Sequence, residues 1–160
     1  MKLASHAAKV AAKANSMVGW IKRTFSYIDV QMFNAFYPTL VRSHMEFAVQ
    51  AWSPQQVGDI DLLEKVQQRA TKLVTSIKDE PYETRRHILK LPTLKDRRLR
   101  GDLIQVYKIV HGFDNLDRSK FFKFVTEESS HRTRGHPYKI LPPHVNHTGR
   151  QHFFLLQSHR

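Results

Sequence analysis

The chain has 160 residues, 26 Lys and Arg against 14 Asp and Glu, a net charge of +12 and no cysteine. This length allows one compact domain with a real core, the apolar content of 41% is too high for disorder throughout, and the lack of cysteine excludes a disulfide framework, a thiol nucleophile and a thiolate zinc finger. The positive excess favours polyanions, nucleic acid first and an acidic membrane surface second; residues 81–160 carry sixteen cationic against seven acidic side chains, and residues 1–80 only ten against seven.

Residues 4–25 are predicted to form a first helix with an apolar line of Leu3, Ala7, Val10, Ala11, Ala14, Val18, Ile21 and Phe25, and with Lys9, Lys13, Ser16 and Trp20 opposite. The first acid is Asp29, so this start has the composition of a mitochondrial presequence, but its unbroken apolar face is that of a core helix. No run approaches the roughly eighteen apolar residues of a membrane span. The chain is therefore expected to be soluble and intracellular, in nucleus or cytoplasm, with no membrane partner.

A second helix is predicted from Asp29 to about Trp52 on Phe33, Phe36, Tyr37, Leu40, His44, Phe47, Ala48 and Ala51, the aromatic centre of the core. Pro38 interrupts it and predicts a kink, because proline removes a helical hydrogen bond and crowds the preceding turn. His44 reads as a core histidine. After the Ser53–Pro54–Gly58 turn, Asp61 and Glu64 make a capping-box-like start for a third helix with Leu62, Leu63, Val66, Ala70, Leu73, Val74 and Ile77 inside and Lys65, Gln68, Lys72 and Thr75 outside. Pro81 suits the first position of a short fourth helix carrying Tyr82, Ile88 and Leu89.

The stretch Thr93–Gly112 reads as one amphipathic helix. Leu99, Leu103, Val106, Tyr107 and Val110 form the expected buried stripe, Thr93 the N-cap and Gly112 the left-handed stop. Arg97, Gly101, Gln105 and Lys108, flanked by Arg98 and Arg100, occupy the expected solvent face, where the missing side chain of Gly101 would let a phosphate strand come close. Beyond it, Phe121, Phe122 and Phe124 read as an apolar anchor, 127–136 as a basic loop holding Arg132 and Arg134, 138–141 as a short strand and 153–156 as a last apolar patch.

No phosphate-binding glycine loop, G-x-S-x-G elbow or H-E-x-x-H helix is present. His144, His147 and His152 have ligand-like spacing but no cysteine or nearby acid to complete a shell. Asp59, Asp61 and Glu64 fit helix capping better than two-metal catalysis, which needs carboxylates converging on ions about 4 Å apart.

Five blocks, KANSMVGWIKRTF, AVQAWSP, DIDLLEKVQQRATKLV, LKDRRLRGDLIQVYKIVHG and RTRGHPYKI, in this order and spacing, resemble the region after the catalytic palm in reverse transcriptases of Jockey-like non-LTR retrotransposons. The resemblance covers nearly the whole chain. It implies a thumb-like helical region and C-terminal extension of an RNA-directed DNA polymerase, packed against a palm and holding the template–primer duplex. The family's metal-binding aspartates fall upstream of the first block and have no counterpart here, so no catalytic residue, metal ligand or cofactor is expected in this chain; the parent enzyme would bind its Mg elsewhere. Such a start fits a fragment, a truncated copy or a reused domain. Two departures stand out: related sequences often have proline where Ser43 stands rather than at Pro38, so the second helix is expected to bend elsewhere, and the chain stops soon after Phe154, short of the usual terminus.

The expected fold is thus mostly α, a bundle of four to five helices over residues 1–112 with an irregular basic extension over 113–160. The expected function is non-catalytic gripping of an RNA/DNA hybrid or other nucleic acid by Arg97, Arg98, Arg100, Lys108, Arg132, Arg134, Lys65 and Lys72. The alternatives are a structural helical module docking on a palm or another protein, and a degenerate element copy without function.

Overall fold

A computed structural model describes residues 3–52, 54, 56–124 and 140–141. The architecture is a mostly helical bundle with, among the described residues, one two-stranded sheet. Two compact units divide the chain, Met1–Arg98 and Leu99–Arg160. Among the described residues no helix is long and apolar enough to cross a membrane.

In the first unit, α1 (Leu3–Thr24) buries Ala7, Ala11, Ala14, Val18 and Ile21, the face its period predicts. Asp29 then caps α2 (Val30–Phe36), its carboxylate accepting from the Met32 N–H at 2.7 Å. The helix does not simply kink at Pro38: it widens into a π-helical segment, Tyr37–Arg42, in which the Ser43 N–H reaches the Pro38 carbonyl five residues back. The hydroxyls of Thr39 and Ser43 donate to the carbonyls of Ala35 and Thr39 at 2.7 and 2.6 Å, taking up acceptors in the loosened ladder. α3 (Ser43–Glu46) completes this return. Underwinding shifts the buried face to Phe33, Tyr37, Val41 and Met45, each four residues from the last. The expected stripe is corrected accordingly: Phe47 and Ala48 are exposed and His44 is half-buried. The helix also ends at Glu46 rather than Trp52, broken by Ala48 at φ 50°, before α4 (Val49–Trp52).

α5 (Val57–Thr71) packs chiefly against α1. The His6 ring meets the Trp52 ring edge-on at 4.8 Å just before α5 begins, and the Thr75 N–H donates to the Ile28 carbonyl at 3.1 Å just after both helices end. α1 and α5 therefore run in the same direction, with 30–46 returning between them. Leu63, Val66, Ala70, Val74 and Ile77 enter the core as expected.

One polar cluster ties this core to the helices that come after α5. Gln67 is fully buried; its amide oxygen accepts from the Tyr37 hydroxyl at 2.6 Å, and its amide nitrogen donates to the Tyr82 hydroxyl at 2.9 Å and the Pro92 carbonyl at 3.1 Å. The Tyr82 hydroxyl in turn donates to Glu64, whose second oxygen accepts the Leu94 N–H at 3.0 Å. So Glu64 is not the opening of its own helix, which starts at Val57; it caps a different one. The cluster joins the π-helical segment, α5, α6 (Tyr82–Ile88) and the start of α7 (Leu94–Val110).

α7 begins as its sequence predicts, with the Asp96 N–H on the Thr93 hydroxyl at 3.0 Å, and Gly112 beyond its end takes φ 72°. Its buried face keeps Val106 and Val110 of the predicted stripe but not the other three positions. Leu94 is 2% exposed and sets the phase, and one helical turn at a time the inward positions become Arg98, Asp102, Val106, Ile109 and Val110. Leu99, Leu103 and Tyr107 face outward instead. In the second unit, Val106, Ile109 and Val110 gather Phe122, Phe124 and Ile140; β1 (Lys123–Phe124) pairs antiparallel with β2 (Ile140–Leu141), Lys123 opposite Leu141. Of the expected anchor, Phe122 is buried and Phe121 exposed.

Replacing Gln67 by Leu strands the Tyr37 hydroxyl and the Pro92 carbonyl and should destabilise the fold by roughly 3 kcal/mol in denaturant titration, at about 1–3 kcal/mol per orphaned group, with Tyr37→Phe in the same chain recovering part of the loss. Burial raises the Tyr37 and Tyr82 hydroxyls well above the usual phenol range, Tyr82 also through its bond to Glu64. The native state then holds protons that the unfolded chain releases above about pH 10, so their contribution is complete below that pH and stability should fall as pH rises beyond it. Absorbance titration should show both phenols ionising only with unfolding.

Candidate nucleic-acid interface

The described candidate cations stand in different settings. Arg97 is engaged by Glu46 through two bonds, Nε at 2.5 Å and Nη2 at 3.0 Å, a bidentate pair that raises its pKa further and that Arg42 joins at 3.6 Å. Arg98 is buried at 8% exposure and is not without a partner. Arg100 and Lys108 are exposed on α7 in the second unit, and Lys65 and Lys72 are exposed at α5 in the first. Arg132 and Arg134 lie outside the described residues, as do His144, His147 and His152.

The neighbouring arginines are likewise occupied. Arg86 pairs with Glu83 at 2.6 Å. Arg85, 3% exposed, donates to the Gln68 carbonyl at 3.3 Å and lies over the Tyr82 ring at 5.8 Å, placing a cation at the C-terminal, negative end of α5.

What the first unit does assemble is a cationic ridge where α1 and α5 lie side by side. Arg69 donates to Asn15 of α1 at 2.5 Å, fixing which flanks meet. On α5, Lys65, Arg69 and Lys72 succeed one another at intervals of four and three residues, a row about 10 Å long at 1.5 Å per residue. On α1, Lys22 lies seven residues from Asn15 on the same flank, and Arg23 folds back so that its Nη1 is 3.5 Å from where a Gly19 Cβ would stand. All five cations are exposed, and among the described residues none forms an ion pair. α1 contains no acid at all, and Asp61, one turn before Lys65, is the exposed acid on the α5 row.

Helix dipoles account for part of this arrangement. Because α1 and α5 run the same way, both C-terminal ends lie together, and Lys22, Arg23, Arg69 and Lys72 stand near them. Each end carries only about −0.5 charge, so roughly three positive charges remain uncompensated. Sequence reasoning identified Lys65 and Lys72 but passed over Lys22, Arg23 and Arg69. Their signals were the acid-free first 28 residues and the helical interval from Lys65 to Arg69.

Gly101 in α7 has open space around it: an added Cβ meets nothing within 4 Å. Gly101→Ala should therefore raise stability by about 0.5–1 kcal/mol, read as a higher midpoint in thermal unfolding. Comparison with protein-family models, with curated proteins and with solved structures finds no match to this chain.

Proposed function

We propose that this chain is a non-catalytic nucleic-acid-binding module that grips a duplex by its phosphates along the α1–α5 ridge. The observation that carries the proposal is the set of solvent-facing Lys22, Arg23, Lys65, Arg69 and Lys72 without an acidic partner among the described residues. Such a ridge offers charge at helical intervals along an exposed helical surface, which suits binding by backbone and shape. The five blocks that resemble the post-palm region of non-LTR reverse transcriptases support a more specific form: the duplex is an RNA/DNA template–primer hybrid, and polymerisation with its magnesium ions belongs to a palm outside this chain.

A second reading, a docking module for a palm or another protein, is favoured by a different surface. Leu99, Leu103, Ile104 and Tyr107 are each about half-exposed on α7, and Phe113, which stacks with Tyr107 at 6.0 Å, is 71% exposed.

Fluorescence anisotropy with a short RNA/DNA hybrid separates the two. Wild-type affinity should fall steeply with salt, and Lys65→Gln, Arg69→Gln and Lys72→Gln combined should weaken binding more than tenfold and flatten the log–log salt slope by about 0.9 for each phosphate the variant no longer neutralises. No binding at low salt, together with concentration-dependent self-association, would support docking instead.

A further inference from the structure

On the opposite flank of α1 from α5, the first unit has a groove of about 430 Å³ lined by His6, Val10, Lys13, Ser43, His44 and Phe47. Phe47 is 80% exposed, an unusual setting for a large ring beside a well-filled core. Its backbone is nonetheless held on both sides. The Phe47 N–H donates to the Ser43 carbonyl at 3.0 Å, and the buried Trp52 donates its indole N–H to the Phe47 carbonyl at 2.8 Å. Ala48 comes next in the left-handed region at φ 50°, a conformation unfavourable for a residue with a Cβ and kept here by the surrounding structure. The ring is thus presented to solvent by a strained but well-anchored turn.

Around it stand a cation and two polar rings. Lys13 is exposed and forms no ion pair among the described residues, and His6 and His44 line the wall. An exposed aromatic face beside an unpaired cation is the combination that holds single-stranded nucleic acid, the ring taking a base by stacking and the cation its phosphate. A volume of several hundred cubic ångströms is in the range of small-molecule sites and accommodates one nucleotide. We infer that this groove binds an unpaired nucleotide, stacked on Phe47 with its phosphate on Lys13. The inference rests on the nucleic-acid reading above and adds a strand-end site to it: the α1–α5 ridge takes the duplex, and α1 carries Lys13 toward the groove where an overhang is received.

The test compares a blunt RNA/DNA hybrid with the same hybrid bearing a three-nucleotide single-stranded overhang that contains 2-aminopurine, using the full chain. The wild type should bind the overhang form more tightly and quench the 2-aminopurine. Phe47→Ala should remove the quenching and lower affinity for the overhang form about 5- to 100-fold, the range expected for one stacked base, while leaving blunt-hybrid affinity unchanged; Phe47→Trp should restore both. Because Phe47 is exposed, circular dichroism of the alanine variant should match the wild type. Equal wild-type affinity for the two hybrids, or a preference that survives Phe47→Ala, would overturn the groove assignment and leave the ridge standing. Failure to bind either hybrid would overturn both.

Discussion

The buried amide of Gln67 is the constraint on which the first unit depends. It holds the Tyr37 hydroxyl on one side and the Tyr82 hydroxyl and Pro92 carbonyl on the other, while Glu64 beside it binds Tyr82 and caps α7. A buried polar network of this kind is stable only when each member is partnered, because an orphaned donor or acceptor in a low-dielectric interior is expensive. Its effect is orientational. It fixes the rotation of α5, so that one flank of that helix faces α6 and the start of α7 and the other, with Lys65, Arg69 and Lys72, lies toward α1 and solvent.

That orientation changes where the useful charge resides. Summed along the sequence, most of the positive excess belongs to the second half, but several of those cations are occupied. Arg85 serves the C-terminal end of α5, Arg86 pairs with Glu83, and Arg97 is held by Glu46. The first half has a smaller excess, yet its ridge cations are exposed and unpaired among the described residues. For binding a polyanion, the number of cations matters less than the number that are not already neutralised in the folded state.

Much of the bundle was legible in the sequence, and the exceptions have local causes. α1 keeps its 3.6-residue period throughout, and the ends of α7 were readable because Thr93 and Gly112 act through the backbone nearby. The face of α2 could be read only as far as Pro38: the π-helical widening adds a residue to the turn and passes the inward positions to Val41 and Met45. On α7, Arg98 read as flanking a solvated basic face, and Leu99 and Leu103 as core. The outcome is the reverse because Leu94, fixed by the Glu64 cap, sets the phase of the helix. No local pattern contains that information, since Glu64 lies thirty residues away. Lys65 and Lys72 were recognisable as an outer row, but the ridge needs the side-by-side placement of α1 and α5, a tertiary fact.

Whether a polynucleotide seats on the α1–α5 ridge is tested most directly by two-dimensional NMR titration of the isotope-labelled chain with a short RNA/DNA hybrid. The largest amide shifts should fall at Lys22, Arg23, Lys65, Arg69 and Lys72. Shifts confined to Leu99, Leu103 and Tyr107, or no shifts at all, would contradict the ridge as the seat of the duplex.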